Sequence, residues 1–347
     1  MLKKKTALIF GVTGQDGAYL SKFLLKKGYV VHGVKRRASQ HNTYRVDDIY
    51  RDPLIKKSNF FLHYGDVTDS ISVFSIINKI KPSEIYNLAA QSHVAVSFDM
   101  PEYTTNADAS GTLRILESIN RVDKKIKFYQ AGSSEMFGKV VETPQNEKTP
   151  FYPRSPYGVA KVYSHWITIN YRESYNLFAC NGILFNHESP LRGETFVTKK
   201  VVKALCKIKL KKQKKLFLGN LSAKRDWGHA EDYVEAMWKI LQYKKPDDFV
   251  ICTGKQYSIK QFVNMVTSAL KMKIVWRGKG SNEKAFDENK NCIIECSKKY
   301  FRPAEVDTLK GNASKAKKLL KWKPKHNIQS LIKDMISYEL EIHKNDK

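Results

Sequence analysis

The sequence predicts an α/β protein: a Rossmann-type doubly wound parallel sheet, followed by a smaller mixed α/β domain. Three observations carry that prediction. A glycine-rich turn lies between an apolar run and an amphipathic helical pattern near the N-terminus. Apolar runs of strand length then alternate with helical periodicity through the first half. The polar residues that could do chemistry fall just after those apolar runs, where strands of a parallel sheet end and ligands bind.

The first element is TALIF at 6–10, followed by Gly11, Val12, Thr13, Gly14, Gln15, Asp16 and Gly17. AYLSKFLLKKG follows at 18–28, with apolar residues at helical spacing and Gly28 suited to a helix end. A glycine triplet alone is weak evidence; between a strand and a helix it reads as a dinucleotide site. Gly11 permits the tight turn, Gly14 lets the backbone approach a pyrophosphate, and Gly17 lets the helix pack closely, its N-terminus facing the anion. The second strand, YVVHGV at 29–34, ends in Lys35, Arg36 and Arg37. A site for NAD usually places a carboxylate there to hold the ribose hydroxyls. Two arginines suit a 2′-phosphate, so the expected cofactor is NADP. The plainer alternative is a basic loop.

Further strands are expected at 60–64 before Gly65, Asp66 and Val67, at 84–89 before Ala90, Gln91 and Ser92, and at 127–131 before Gly132. Helical patterns at 70–79 and 103–120 lie between them. The segments 11–17, Arg36, Asp66, 89–92 and 132–135 therefore converge at the carboxyl ends of one sheet. Residues 1–185 are expected to form the cofactor domain and 186–347 mainly the second domain, with about 225–255 returning to the first. The polar stretch 278–298 lacks periodicity and reads as a variable loop. A helix at 328–342 closes the chain, with 344–347 frayed.

Bulk composition narrows the function. With 347 residues and 42% hydrophobic residues, the chain can bury a large core, as one large or two closely joined domains. No apolar run approaches membrane-spanning length, and MLKKKTALIF is too short in its apolar part for a secretory signal; a cytoplasmic protein with no membrane partner is expected. Five cysteines form no paired ligand spacing and no HExxH occurs, so no metal is expected. The net charge of +27 raises nucleic-acid binding as a possibility. The basic runs KIKLKKQKK (207–215) and KAKKLLKWKPK (315–325) have the apolar spacing of folded surface, so a solvated basic face is the commoner explanation and no nucleic-acid partner is expected. An anionic small molecule is the alternative use of the charge.

The reactive pattern is YGVAK at 157–161. Tyr157 and Lys161 stand one helical turn apart on one face. In isolation this is a surface contact. Next to a catalytic cleft it is a phenol whose pKa a neighbouring ammonium lowers, making a base near neutral pH. Ser133 and Glu135 follow the strand at 127–131, and a proline-rich loop leads to Tyr157.

With these residues in place, the chain resembles extended short-chain dehydrogenase/reductases that modify nucleotide sugars, and most closely the GDP-mannose 4,6-dehydratase family. The segments that match are GVTGQDGAYL, VHGVKRRAS, YNLAAQSHVAVSF, NGILFNHESP, RGETFVT, RDWGHAEDYV and YFRPAEVD. The resemblance implies Ser133, Glu135, Tyr157 and Lys161 as catalytic residues, with internal hydride transfer from C4 to NADP to C6 of a GDP-sugar. It implies cofactor contacts from Gly11, Thr13, Gly14, Gln15, Asp16, Gly17, Arg36, Arg37, Asp66, Val67, Leu88, Ala89, Ala90, Gln91, Ser92, Tyr103, Lys161, His187 and Arg192. Substrate contacts are implied for Ser92, Ser134, Glu135, Asn186, Glu188, Lys199, Lys200, Arg225, Arg302 and Glu305. It also implies a homodimer or homotetramer in which the loop from Arg36 to Tyr44 crosses a subunit boundary. Glu135 is the residue that a 4-epimerase or reductase of this fold, the competing reading, does not need.

Around the site the chain departs from the family's usual residues. Gly132, Ser133 and Gly158 stand where serine, threonine and alanine are usual, and Phe137 replaces a tyrosine. The three smaller residues suggest room for a larger group at C6, and hence GDP-D-glycero-D-manno-heptose slightly ahead of GDP-D-mannose; drift is the simpler explanation.

Overall fold

A computed structural model describes residues 4–50, 58–301 and 304–345. The first half contributes strands β1 (Thr6–Phe10), β2 (Val30–Lys35), β3 (Phe60–Tyr64), β4 (Glu84–Asn87), β5 (Lys127–Ala131) and β6 (Ala179–Leu184). The second adds β7 (Asn186–Glu188), β8 (Leu216–Leu218), β9 (Lys224–His229) and β10 (Phe249–Ile251). It ends with β11 (Gln256–Ser258), β12 (Val275–Arg277), β13 (Lys284–Phe286) and β14 (Cys292–Cys296). Seven strands form the central sheet in the order β10-β6-β5-β4-β1-β2-β3, and every pairing is parallel. Parallel strands are covered on both faces, which is why β1 reads as a continuous apolar run; Ala7, Leu8 and Ile9 are wholly buried.

The covering helices of the first half are α1 (Gln15–Lys26), α2 (Ser70–Ile80), α3 (Val94–Asp99), α4 (Pro101–Thr104), α5 (Gly111–Val122) and α6 (Pro156–Tyr175). The helix expected at 103–120 is continuous from α4 to α5 through a π-helical turn, Thr105–Ser110. Such turns store one extra residue and often mark functional positions. Here the turn carries Asp108. At α6, the Ser155 hydroxyl accepts the Gly158 N–H at 3.0 Å and Pro156 occupies the first turn, fixing where Tyr157 begins the helix.

The second half supplies α7 (Val197–Lys209), α8 (Ala230–Gln242), α9 (Ile259–Ala269), α10 (Ser314–Leu319) and α11 (Ile328–Asn345). Leu205, Phe262, Val266, Ile294, Leu331 and Met335 share its separate core. Two small sheets, β11-β9-β7 and β12-β13-β14-β8, flank that core. Meanwhile β10 joins the central sheet beside β6, and Ala236, Met237 and Ile240 of α8 share a core with Leu20 and Leu24 of α1.

Two expectations need correction. The stretch 278–298 is not a loop: it holds β13 and β14, with Ile293 and Ile294 buried. Its strands are short and polar on one face, and β14 takes a distant partner, β8, so local periodicity could not show it. The last helix also runs on to Asn345, beyond the expected end at 342. The basic runs are tied down locally: Lys209 and Lys212 donate to the Leu270 and His343 carbonyls, while Lys315 and Lys325 pair with Asp247 and Glu235. Among the described residues, no helix is long and apolar enough to cross a membrane.

Candidate active site

A cleft of about 940 Å³ opens at the carboxyl ends of the central strands, between the sheet and the second half. The glycine turn lines one wall. Gly11 has φ of +81°, and a Cβ there would lie 2.8 Å from the Ala89 nitrogen. A Cβ on Gly17 would lie 2.4 Å from the Gly11 carbonyl, so only glycine lets α1 start this close to β1. No side chain caps α1, leaving its first N–H groups to an anion. These residues fit the pyrophosphate of a dinucleotide.

Gln15 and Asp16 tie this wall to the second half. Gln15 Nε2 donates to the His187 carbonyl at 3.1 Å, and its Oε1 accepts from the Ser189 hydroxyl at 2.7 Å. Asp16 meets His187 Nε2 at 2.7 Å. Burial opposes ionisation of both groups, yet their mutual attraction prevails, holding Asp16 below and His187 above their ordinary values.

Leu88, Ala90, Ser92 and Arg192 also line the cleft. Thr13, Arg36, Arg37, Asp66, Val67, Ala89, Gln91 and Tyr103 lie outside that lining. The Arg36 guanidinium donates to the Tyr103 hydroxyl at 2.6 Å, and the exposed Arg37 to the Ala38 carbonyl at 2.6 Å. Asp66 accepts from the Thr68 N–H and hydroxyl, closing its own turn. Buried Val67 packs under Gly111, where a Cβ would touch it at 3.0 Å.

At the deep end of the cleft stand Ser133, Ser134, Glu135, Tyr157 and Lys161. Glu135 and Tyr157 are each 8% exposed and Lys161 is 3% exposed. The Ser133 hydroxyl stands beside the Tyr157 phenol, favouring its ionisation, and accepts the Glu135 N–H at 3.2 Å. Lys161 Nζ donates to the Ala131 carbonyl at 3.0 Å and lies 5.8 Å from the Tyr157 ring centroid. The expected lowering of Tyr157 is not found in the chain alone. Burial pushes the phenol well above its usual value and Asp108 and Glu135 add to that, against relief from Ser133 and Arg192. Burial also lowers Lys161, against the pull of Asp108.

Asp108 is the residue that the sequence reading missed. Its Oδ1 accepts the Gln91 N–H at 2.7 Å, while Oδ2 is buried with no hydrogen-bond partner. Burial raises it to about 6, and Lys161 pulls the other way. The available signal was an acid set between two alanines within the helical pattern at 103–120.

The departures around the site also look different in three dimensions. A Cβ on Gly158 would lie 2.9 Å from the Glu135 carbonyl oxygen, and one on Gly132 3.0 Å from the Gly182 carbonyl oxygen. Protein atoms already take up that volume, so neither glycine opens room of its own. Phe137 is wholly buried against Phe151 and Phe185, away from the cleft. Only Ser133 removes bulk on the cleft side.

Toward the mouth, Asn186, Glu188, Lys200, Arg225 and Glu305 line the cleft. Asn186 Oδ1 is buried without a hydrogen-bond partner. Glu188 accepts from the Thr198 hydroxyl at 2.6 Å and meets Arg192 Nε at 3.1 Å. Arg225 donates to the Val306 carbonyl at 2.7 Å and pairs with Glu305 at 3.3 Å. Lys200 lies 3.6 Å above the Tyr300 ring, and burial holds its ammonium below its ordinary value. Lys199 is different: it turns away from the cleft into a buried pair with Glu339. Adjacent residues on a helix diverge by about 100°, so Lys199 and Lys200 cannot both face the ligand. Arg302 lies outside the described residues.

One group elsewhere, His229, Glu231 and His326, has ligand atoms close enough for a metal. The two rings stack at 4.3 Å with 24° between planes, so their in-plane lone pairs do not converge. His229 Nδ1 accepts the Glu231 N–H at 3.1 Å, capping α8.

A family model described as GDP-mannose 4,6 dehydratase matches residues 8–335. GDP-mannose 4,6 dehydratase 2 of Caenorhabditis elegans is 54% identical, over 99% of this chain and 91% of its own length. This chain belongs to the GDP-mannose 4,6-dehydratase family. A second family member, the GDP-mannose 4,6-dehydratase of Vibrio cholerae, is 54% identical over 98% of this chain and 95% of its own. In fold the chain is similar to dTDP-glucose 4,6-dehydratase of Bacillus anthracis, solved in complex with NAD. The TM-score is 0.80 at 20% identity, covering 99% and 97% of the two chains.

Proposed function

We propose that this family member is a hydro-lyase that converts a GDP-manno-configured sugar into its GDP-4-keto-6-deoxy product, with NADP regenerated each cycle. The observation that carries the reading is that Glu135 lines one end of the cleft together with Ser133, Tyr157 and Lys161, the carboxylate, phenol and ammonium all buried. An epimerase or a reductase needs the last three but has no use for the carboxylate.

A nicotinamide bound against these residues would supply a hydride acceptor for C4 and a hydride donor for C6, so no net oxidation would result, and its positive charge together with that of Lys161 would favour the Tyr157 phenolate. Tyr157 takes the O4 proton while the Ser133 hydroxyl donates to the same oxygen. The ketone so formed makes the C5 proton acidic. Glu135 removes that proton and hands it to the departing C6 oxygen, which leaves as water. The proton held on Tyr157 goes to C5 as C6 is reduced, which balances the cycle.

NADP rather than NAD is proposed because Lys35, Arg36 and Arg37 end β2 with no carboxylate among them. At the mouth, Arg225 and Lys200 suit the diphosphate, while Asn186, Glu188 and Glu305 suit hydroxyls. GDP-mannose is the first substrate choice, since the curated relatives carry its name. GDP-manno-heptose is a second reading, supported by the smaller Ser133 beside the reacting carbons. A self-associating, cytoplasmic enzyme completes the proposal, with the loop from Arg36 to Tyr44 as a subunit contact; Tyr44 is half exposed.

Incubation with each GDP-sugar and catalytic NADP, followed by mass spectrometry, tests this. Loss of one water without net cofactor reduction is expected. A changed C4 centre at unchanged mass, or stoichiometric cofactor consumption, would replace the dehydratase by an epimerase or reductase.

A further inference from the structure

We propose that Glu339, on the C-terminal helix α11, is a positioning residue for the cleft, acting through Lys199 on the loop at 189–192. Lys199 Nζ sits between the Glu339 carboxylate and the Pro190 carbonyl, the latter at 2.7 Å. The Tyr338 ring lies 4.7 Å from the same ammonium. The pair is sealed from solvent, with side chains 5% and 3% exposed, and His343 Nε2 meets the second Glu339 oxygen at 3.2 Å.

The loop gripped in this way joins the cleft wall to the glycine turn. On its other side, Ser189 is bonded to Gln15 of the glycine turn. Arg45 donates to the Leu191 carbonyl at 2.8 Å and to the Thr13 carbonyl at 3.2 Å. Glu188 just before the loop and Arg192 at its end face the cleft, and Thr198 beside Lys199 holds Glu188. Lys199 is thus the point where α11 and α7 reach residues that line the cleft.

Two physical arguments oppose a purely stabilising role. A buried ion pair is no more stable, on balance, than a well-packed apolar pair of the same volume. Lysine in the first turn of α7 also opposes the helix dipole, and no acidic residue in that turn offsets it. What an apolar pair cannot do is donate to the Pro190 carbonyl. That donation is the function assigned here.

The test uses the full-length chain with Glu339→Gln, Lys199→Met and the double variant Lys199→Met/Glu339→Leu. Melting temperature and equilibrium affinities for GDP and for NADP are measured. Both single variants should melt lower and bind GDP about tenfold more weakly, because small misplacements of contact groups are costly. The double variant should melt above either single variant yet keep the weakened GDP affinity. Recovery of both properties in the double variant, or wild-type GDP affinity in a single one, overturns the proposal. Should the singles fail to fold, the double variant decides alone. The choice of GDP as probe rests on the proposed function. Wild-type chain that binds NADP but not GDP overturns that function, and NADP affinity then decides the role of Glu339 by the same comparison.

Discussion

The two ends of the cleft solve opposite problems. The deep end, around Tyr157, Lys161, Asp108 and Glu135, is buried, and its charges are held close together behind the central sheet. Because water is excluded there, burial raises Tyr157 and lowers Lys161. The mouth, around Arg225, Lys200 and Tyr300, belongs to the second half and presents cations that carbonyls, carboxylates and rings already steady. In the proposed function, chemistry at the deep end needs groups whose protonation is poised, whereas holding a diphosphate at the mouth needs charge that does not change. On that reading the Tyr157–Lys161 pair belongs to one end, and Arg225, whose charge is fixed, to the other.

Replacing Glu135 by Gln should break the comparison most strongly. Turnover is expected to fall about 10²–10⁴-fold, the usual range for a lost acid–base group. A single-turnover burst of reduced nicotinamide should survive, since oxidation at C4 needs only Ser133, Tyr157 and Lys161. Stopped-flow absorbance separates the two steps, and loss of the burst along with turnover would show Glu135 acting earlier than argued.

Arg225→Met should act through KM instead. A charge-assisted contact of about 1.5–3 kcal/mol corresponds to roughly a 10–150-fold rise in KM for the GDP-sugar. An equal fall in kcat would place Arg225 with the chemistry.

Asp108→Asn sharpens the deep end. Because the carboxylate raises Tyr157, its removal should move the rising limb of the kcat pH profile to lower pH. The stability effect has a definite sign. Burial raises Asp108 from 3.8 to about 6, so its contribution is full below 3.8 and is lost as pH rises through about 6. The native chain should therefore lose more melting temperature than the variant between those limits. A pH profile that does not move would remove Asp108 from the electrostatics of the dyad.

The smallest effect is expected from Gly158→Ala. Its Cβ would press on the Glu135 carbonyl at 2.9 Å, so activity should fall by a few-fold while the preference between the two GDP-sugars stays unchanged. A swing in that preference, read from kcat/KM for both sugars, would revive the idea that Gly158 makes room.

How much of this was legible follows from where each signal lives. The glycine turn and the Tyr157–Lys161 spacing are local, and a strand or helix around them reproduces their geometry. The parallel sheet was legible because its strands are buried on both faces and read as apolar runs. Asp108 was not, since its importance comes from Lys161, Tyr157 and Gln91 meeting it across the fold. Lys199 and Lys200 look alike in a sequence, and only the helix phase against α11 separates them. Gly132 and Gly158 read as missing volume, yet the backbone had already moved in to fill it.

The return of β10 to the central sheet also bears on how the molecule is made. On the ribosome, β6 emerges with its outer hydrogen-bonding edge bare, and no nascent chain that stops short of Phe249 can cover it. The half that carries the central sheet thus stays a candidate for stray strand pairing through much of synthesis, and truncated products would carry that sticky edge permanently.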